Sequence, residues 1–191
     1  MTISLLVAND KTSKDFIKET ITQFHSYVPS TSSVGRRIDW VVFNDDKPIG
    51  MIGIGSSVYP PPKDILKHTK LSIKEYKNKF NSFANNWRFC MREKIRNAGT
   101  QILKELRRQA PLYWKQKYND DLLYLITFVA GGNNGAVYKA DNWSQIGQTS
   151  GLPPHKSISM KWDDKESLKE KYVKPTGENK KLIFFKKIVQ K

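Results

Sequence analysis

The stretch Arg96-Asn97-Ala98-Gly99-Thr100-Gln101 decides how this chain is read. It follows a short apolar run, Trp87–Met91, and precedes Leu103, Leu106 and Ala110 at helical spacing, so it reads as a strand-to-helix turn with a small-residue opening. The first N–H groups of a helix lack intrahelical partners and stand at the positive end of its dipole, which suits a phosphate or carboxylate. Arg96 adds a cation on the flank, and Asn97 suits a helix cap as well as a ligand contact. Its counterpart is Tyr138-Lys139-Ala140-Asp141-Asn142-Trp143, a short helix with a tyrosine near its start and an aromatic residue at its end. A tyrosine hydroxyl can donate a proton. Together the two stretches point to group transfer.

Working outward, Ile3–Val7 is a short apolar strand, and Thr12-Ser13-Lys14-Asp15 fits a capping box before Phe16, Ile17, Ile21 and Phe24 at helical spacing. That places a first amphipathic helix over 12–25, with a loop from Pro29 to Gly35. Ile38–Phe43 and Ile49–Gly55 read as a hairpin around the polar turn Asn44-Asp45-Asp46-Lys47. Gly50, Gly53 and Gly55 mark a bulge or a close approach of backbone to a ligand. After Tyr59-Pro60-Pro61-Pro62, residues 63–81 carry Lys63, Lys67, Lys70, Lys74, Lys77 and Lys79 over a partial stripe of Leu66, Ile73, Tyr76 and Phe80. This is either a basic arm for a phosphate backbone or a solvated insertion. Pro111 is expected to kink or divide the next helix before Tyr113–Tyr118. Leu122–Val129 is apolar on both faces and reads as a buried strand. Gly131–Gly135 is a turn, Ala136–Asn142 a short helix, and further strands fall near Ser157–Trp162 and Leu182–Ile188.

At 191 residues the chain suits one domain, with a lysine-rich insertion around 60–82 and a C-terminal strand region over 152–191. Thirty-three Lys and Arg against eighteen Asp and Glu give a net charge of +15, more than solubility needs. Nucleic acid is the natural partner of such a field, although a lysine-rich host proteome gives the same sum. No apolar run is long enough to span a bilayer and no leader is evident, so a cytoplasmic protein without membrane contact is expected. Cys90, the single cysteine, reads as an inert core residue, and His25, His68 and His155 give no zinc spacing or metal-ligand set. Oligomeric state is not legible.

The order of elements resembles the GNAT acyltransferase fold, which implies an α/β (α+β) architecture: a central mixed, mostly antiparallel sheet flanked by helices. In that fold an Arg/Gln-x-x-Gly-x-Gly/Ala loop cradles the pyrophosphate of acyl-CoA. Arg96–Gln101 keeps the first half of that pattern and has Gln101 where a small residue is usual. The resemblance implies acyl-CoA as donor, held by Arg96, Asn97, Ala98, Gly99 and Thr100, with Tyr138 as the acid that protonates the leaving thiolate.

A closer resemblance is to the Mom-like family of phage DNA-modification proteins and the related domain of the Druantia anti-phage systems. It rests on Arg88-Phe89, Asn97-Ala98-Gly99-Thr100, Gly135-Ala136-Val137-Tyr138-Lys139-Ala140-Asp141-Asn142-Trp143 and Gly147-Gln148-Thr149, in that order. It implies transfer of a carbamoylmethyl-like group to the exocyclic amine of adenine in double-stranded phage DNA, protecting it from restriction. Tyr138, Arg88 and Thr100 would form the catalytic set, Thr100 keeping a hydroxyl where the family has serine. Arg88 would stabilise negative charge on the transferred group. Ser57, Tyr59 and Asn142 would face the acceptor, with Tyr59, Trp87 and Trp143 as stacking surfaces for a flipped base. The family's aspartate before the glycine turn has no counterpart in Phe128-Val129-Ala130. Two other functions fit the same residues: a general GNAT acetyltransferase acting on a protein or small amine, and a non-catalytic nucleic-acid-binding module.

Overall fold

The computed structural model describes residues 2–25, 31, 35–130, 132–149 and 180–188. Its first strands, β1 (Ile3–Val7), β2 (Arg37–Asn44) and β3 (Lys47–Ser56), form an antiparallel meander that β4 (Phe83–Met91) extends. β4 runs parallel to β5 (Tyr124–Val129), and two later strands, β6 (Ser144–Gln148) and β7 (Leu182–Lys187), complete a seven-stranded sheet in the order β1-β2-β3-β4-β5-β7-β6. Antiparallel pairs dominate, as expected for the fold class. The β2–β3 turn works because Asp45 takes φ 53°, a left-handed conformation that Asp tolerates. In the middle of the sheet Ile49, Met51, Ile52 and Ile54 are fully buried, so β3 is covered on both faces.

Alternation along the strands divides the molecule into layers. On one face, α4 (Ala98–Tyr118) lays Ala98, Ile102, Leu103, Leu106, Ala110 and Trp114 on Trp40, Ile52, Leu125 and Phe184, with α5 (Ala136–Ala140) beside it. On the other face, α1 (Lys11–Phe24) seats Ile17 and Ile21 on Val41, Met51 and Cys90. Farther along that same face, α2 (Lys63–Thr69) and α3 (Ile73–Asn78) seat Ile65 and Tyr76 on Phe83, Ile126, Ile183 and Phe185.

Several expectations change. The cap of α1 is Asp10, whose carboxylate accepts from Ser13 N at 2.8 Å, and the helix starts at Lys11. Aspartate two residues earlier starts the helix sooner, and its carboxylate takes the unpaired N–H of Ser13. Pro111 does not divide α4. It forfeits the bond to the Arg107 carbonyl, but fully buried Ala110 and Trp114 pin the turns on either side to the sheet. Residues 63–81 fold largely as two short helices that cover the β5–β7 half of the sheet and leave their lysines exposed. The glycine-rich strand does carry a bulge, at Gly53–Ile54, and a methyl group at Gly53 collides with the Asp39 carboxylate and the Trp87 indole. β6 falls where no strand was expected, because its Ser-Gln-Ile-Gly-Gln sequence carries little β signal and is held by pairing with β7. Ser157–Trp162 lies outside the described residues.

Candidate active site

β4 and β5 pair only through Phe83–Tyr124, Ala84–Leu125 and Asn85–Ile126. Beyond that point β4 stays with β3 while β5 stays with β7, so the two parallel strands part. Backbone N–H and C=O groups along the parted edges lose their ladder partners and need others. The resulting crevice has a volume of about 410 Å³ and opens towards both layers: Val137 and Tyr138 of α5 line one side, Phe24 and His25 at the end of α1 the other. Opposite the crevice, Gly53 pairs with Arg88 while Ile54 pairs with Asn86, leaving Trp87 as the extra residue of a bulge. Bulges re-aim the side chains around them.

Tyr138 sits at the centre, only 6% exposed. Its hydroxyl donates to Asn86 Oδ1 at 2.7 Å. The Asn86 amide donates in turn to the Gly53 carbonyl at 2.8 Å and the Arg88 carbonyl at 3.0 Å, and the Asn86 carbonyl accepts from Thr127 Oγ1 at 3.1 Å. Asn86 therefore ties together β3, the bulge, β5 and the α5 tyrosine. The ring of Tyr138 is gripped by Phe184 and Trp143, with centroids 5.6 and 5.1 Å away. This phenol is positioned, and its proton points into a polar network at the crevice wall.

Arg88 lines the crevice with its guanidinium 4.6 Å from the Trp87 ring centroid, and its Nη1 donates to the Trp87 carbonyl at 2.8 Å. Burial, helped by the cation of Arg88, pushes the His25 imidazole down to about 4. It is therefore neutral near pH 7. Burial raises the Cys90 thiol to about 11 against the opposing pull of Arg88 and Arg92, so it stays protonated and unreactive, as expected of a core cysteine.

The other expected residues are distributed around this centre. Asn97 takes φ 61° and makes no side-chain cap bond, contrary to its reading as a cap; a left-handed turn, which asparagine tolerates, carries the chain into α4 instead. Thr100 Oγ1 donates to the Asn97 carbonyl at 3.1 Å, stabilising that turn. Arg96 and Asn97 are exposed, Ala98 is buried, and Gly99 packs on Val137, a wall residue of the crevice. The turn thus stands one side chain away from the opening, on the α5 side. Ser57 and Tyr59 are not part of the crevice lining: Ser57 Oγ is 2.5 Å from the Tyr76 hydroxyl in a buried bond, and Tyr59 is exposed before α2. Asn142 takes φ 57° after the last turn of α5, where its carbonyl accepts from Lys186 Nζ at 2.9 Å.

Much of the Gly135–Trp143 segment has a structural cause. Gly135 takes φ 69°, and a methyl group there collides with Phe184, so only glycine opens α5 against that ring. Trp143 Nε1 donates to the buried Asp141 carboxylate at 2.9 Å, and Asp141 also pairs with Arg107 of α4. Asn86, His25, Thr127 and Arg107 were not singled out as site or network residues. The apolar pattern starts this strand at Trp87, so Asn86 lay outside it; β4 begins at Phe83 and carries Asn85-Asn86 within it. His25 left no trace, because the approach of α1 to β4 is a tertiary fact. Among the described residues no group of three or more His, Cys, Asp or Glu stands together as a metal site, and no helix is long and apolar enough to cross a membrane.

No family model matches the chain, and no curated protein matches it. Solved structures do. The chain is similar to the aminoglycoside 6'-N-acetyltransferase of Enterococcus faecium, with TM-score 0.55, 11% identity, and coverage of 100% of this chain and 99% of that one. It is also similar to an acetyltransferase of the GNAT family from Streptococcus pneumoniae, with TM-score 0.50, 13% identity and coverage of 97% and 100%. The chain has the GNAT fold. A third GNAT neighbour is an aminoglycoside acetyltransferase solved in complex with coenzyme A, with TM-score 0.54, 8% identity and coverage of 97% and 95%. At these identities the likeness concerns the GNAT architecture, and the chemistry must be argued from the crevice.

Proposed function

We propose that this protein is an N-acyltransferase that takes its acyl group from a coenzyme A thioester. The observation that carries the reading is the buried Tyr138 hydroxyl, held by Asn86 where β4 and β5 part. An extended, amide-bearing arm can lie between the parted strands and satisfy their open backbone groups, as an added strand would. The donor's phosphates fit the α4 entrance, which has no acidic residue in its first turn and has exposed Lys94 and Arg96 before it. The amine attacks the thioester carbonyl carbon from the α1 side. A C–N bond forms and the C–S bond breaks; Tyr138 gives its proton to the leaving sulfur, and the amine's proton returns to solvent or to the phenolate. Arg88 opposes the negative charge that develops on the acyl oxygen. The neutral imidazole of His25 accepts a hydrogen bond from the incoming amine.

The acceptor we favour is an amine carried by nucleic acid, with adenine in DNA as the Mom-like resemblance implies. The +15 charge and the Tyr138–Trp143 segment support it. The competing acceptor is a small amine or a protein. Purified protein incubated with labelled acetyl-CoA, duplex DNA and a panel of amines separates the two, together with nucleoside mass spectrometry of DNA from expressing cells. Unmodified DNA alongside acetylated amines discards the nucleic-acid acceptor. Tyr138→Phe keeps the ring contacts and removes the proton, so kcat should fall by about 10²-fold or more in protein that is still folded, the lost buried bond to Asn86 costing only about 1 to 3 kcal/mol of stability. A variant at full rate ends the proton-donor role.

A further inference from the structure

We infer that the α2–α3 unit is a nucleic-acid docking surface that lays a phosphate backbone along the face of the sheet on which the α1-side mouth of the crevice opens. The inference takes its acceptor class from the reading above, but the docking surface stands on separate observations. Lys63, Lys67, Lys70, Lys74, Lys77 and Lys79 are all exposed, and among the described residues none of them forms an ion pair. Exposed lysines alone describe any solvated helix. What distinguishes this unit is where its two acids point. Glu75 is consumed by the cap of α3, its Oε2 accepting from Ser72 N at 2.8 Å and Ser72 Oγ at 2.7 Å. Asp64 is turned inward against Gly147, where a methyl group would collide with its carboxylate. Six exposed lysines against these two acids leave the outward field of the unit net cationic.

Placement supplies the second argument. Gly147 pairs with Ile183, and Ile183 pairs with Phe128, a residue that lines the crevice. Asp64, in the first turn of α2, thus stands level with the crevice end of β5, on the face that also carries Phe24 and His25 of α1. From there the unit runs along that face towards the paired end of β4 and β5, where His68 meets Phe185 and Tyr76 meets Phe83. It is fixed by fully buried Ile65 and Tyr76, the Tyr76 hydroxyl being tied to Ser57 and to the Val58 carbonyl at 3.2 Å. Just before α2, Tyr59 is 43% exposed and stands edge-on to Phe80, with centroids 6.3 Å apart, offering a flat face to an unstacked base. A polyanion seated on these lysines lies along the face of the sheet from which the acceptor amine must enter.

The test is fluorescence anisotropy of a labelled 20-base-pair duplex with the full chain, titrated across KCl concentrations. Lys67→Gln/Lys70→Gln/Lys74→Gln should weaken binding and flatten the slope of log K against log salt by about 2 to 3, since each lost phosphate contact removes about 0.9. The charge-matched control Lys11→Gln/Lys18→Gln/Lys104→Gln, all exposed and away from this unit, should change the slope by less than 1. Equal losses in both triples overturn the inference, because the field is then diffuse. So does binding to phosphatidylserine vesicles with none to the duplex. Acyl-CoA binding, read by thermal shift, should be the same in wild type and both triples. If acyl-CoA neither binds nor is turned over but the duplex result holds, the transferase reading falls and the docking surface stands; the converse outcome removes only the surface.

Discussion

At the scale of the residue, the site is organised by a side chain that does no chemistry. Asn86 uses its amide and its backbone carbonyl to hold Tyr138, the Arg88 bulge and Thr127 together. His25 is the residue on which pH should act. Its folded value near 4 lies below the ordinary 6.5, so between those limits the unfolded chain binds a proton that the folded chain refuses. Stability should therefore fall as pH drops from 6.5 towards 4. His25→Asn should flatten that part of the profile, measured as urea midpoint against pH. A profile with unchanged slope means the imidazole is not held neutral at the crevice. Tyr138 and Arg88 were legible because a hydroxyl in a short helix and a cation in an apolar strand are local anomalies. His25 was not, since its environment is made by β4, far away in the chain.

At the scale of the element, glycines decide how closely the helices approach the sheet. Gly147 lets the Asp64 side chain fold inward, and that contact sets the position of α2 over β6 and β7. Gly147→Ala should cost about 1 to 3 kcal/mol in chemical unfolding, the usual range for overpacking a tight contact. Asp64→Ala should relieve the collision, so the double variant should be more stable than the sum of the single effects. Strict additivity in that cycle excludes the contact as the cause. Sequence patterns located β1, the hairpin, α4 and β7 well, because period-2 and period-3.6 apolar patterns mark them directly. They placed no strand at Ser144–Gln148, and they gave α1 the wrong cap. β6 is decided by its pairing with β7, outside any local window, whereas the cap lay within one, since Asp10 stands only two residues before Thr12 and caps a helix at least as well.

At the scale of the whole molecule, the proposed reaction puts donor and acceptor on opposite faces of the sheet. Tyr138 and the α4 turn stand on one side; His25 and the lysines of α2 and α3 stand on the other. Net charge and a helix-flanked sheet were open to reading from composition and element order. The parting of β4 and β5 was not, because a parallel pair is closed or opened by residues more than a helix apart. This division gives a kinetic expectation. An acceptor held by phosphates adds counterion release to its binding, whereas a small amine entering the crevice does not. Raising KCl from 50 to 200 mM should therefore raise KM for a nucleic-acid acceptor at least tenfold, with two or more phosphate contacts in play, and leave kcat within about twofold. KM for acyl-CoA should move less, because its few phosphates meet only the α4 entrance. If KM for the acceptor does not respond to salt while turnover proceeds, the cationic face plays no part in acceptor capture, and a small amine reaching Tyr138 directly becomes the better description of the reaction.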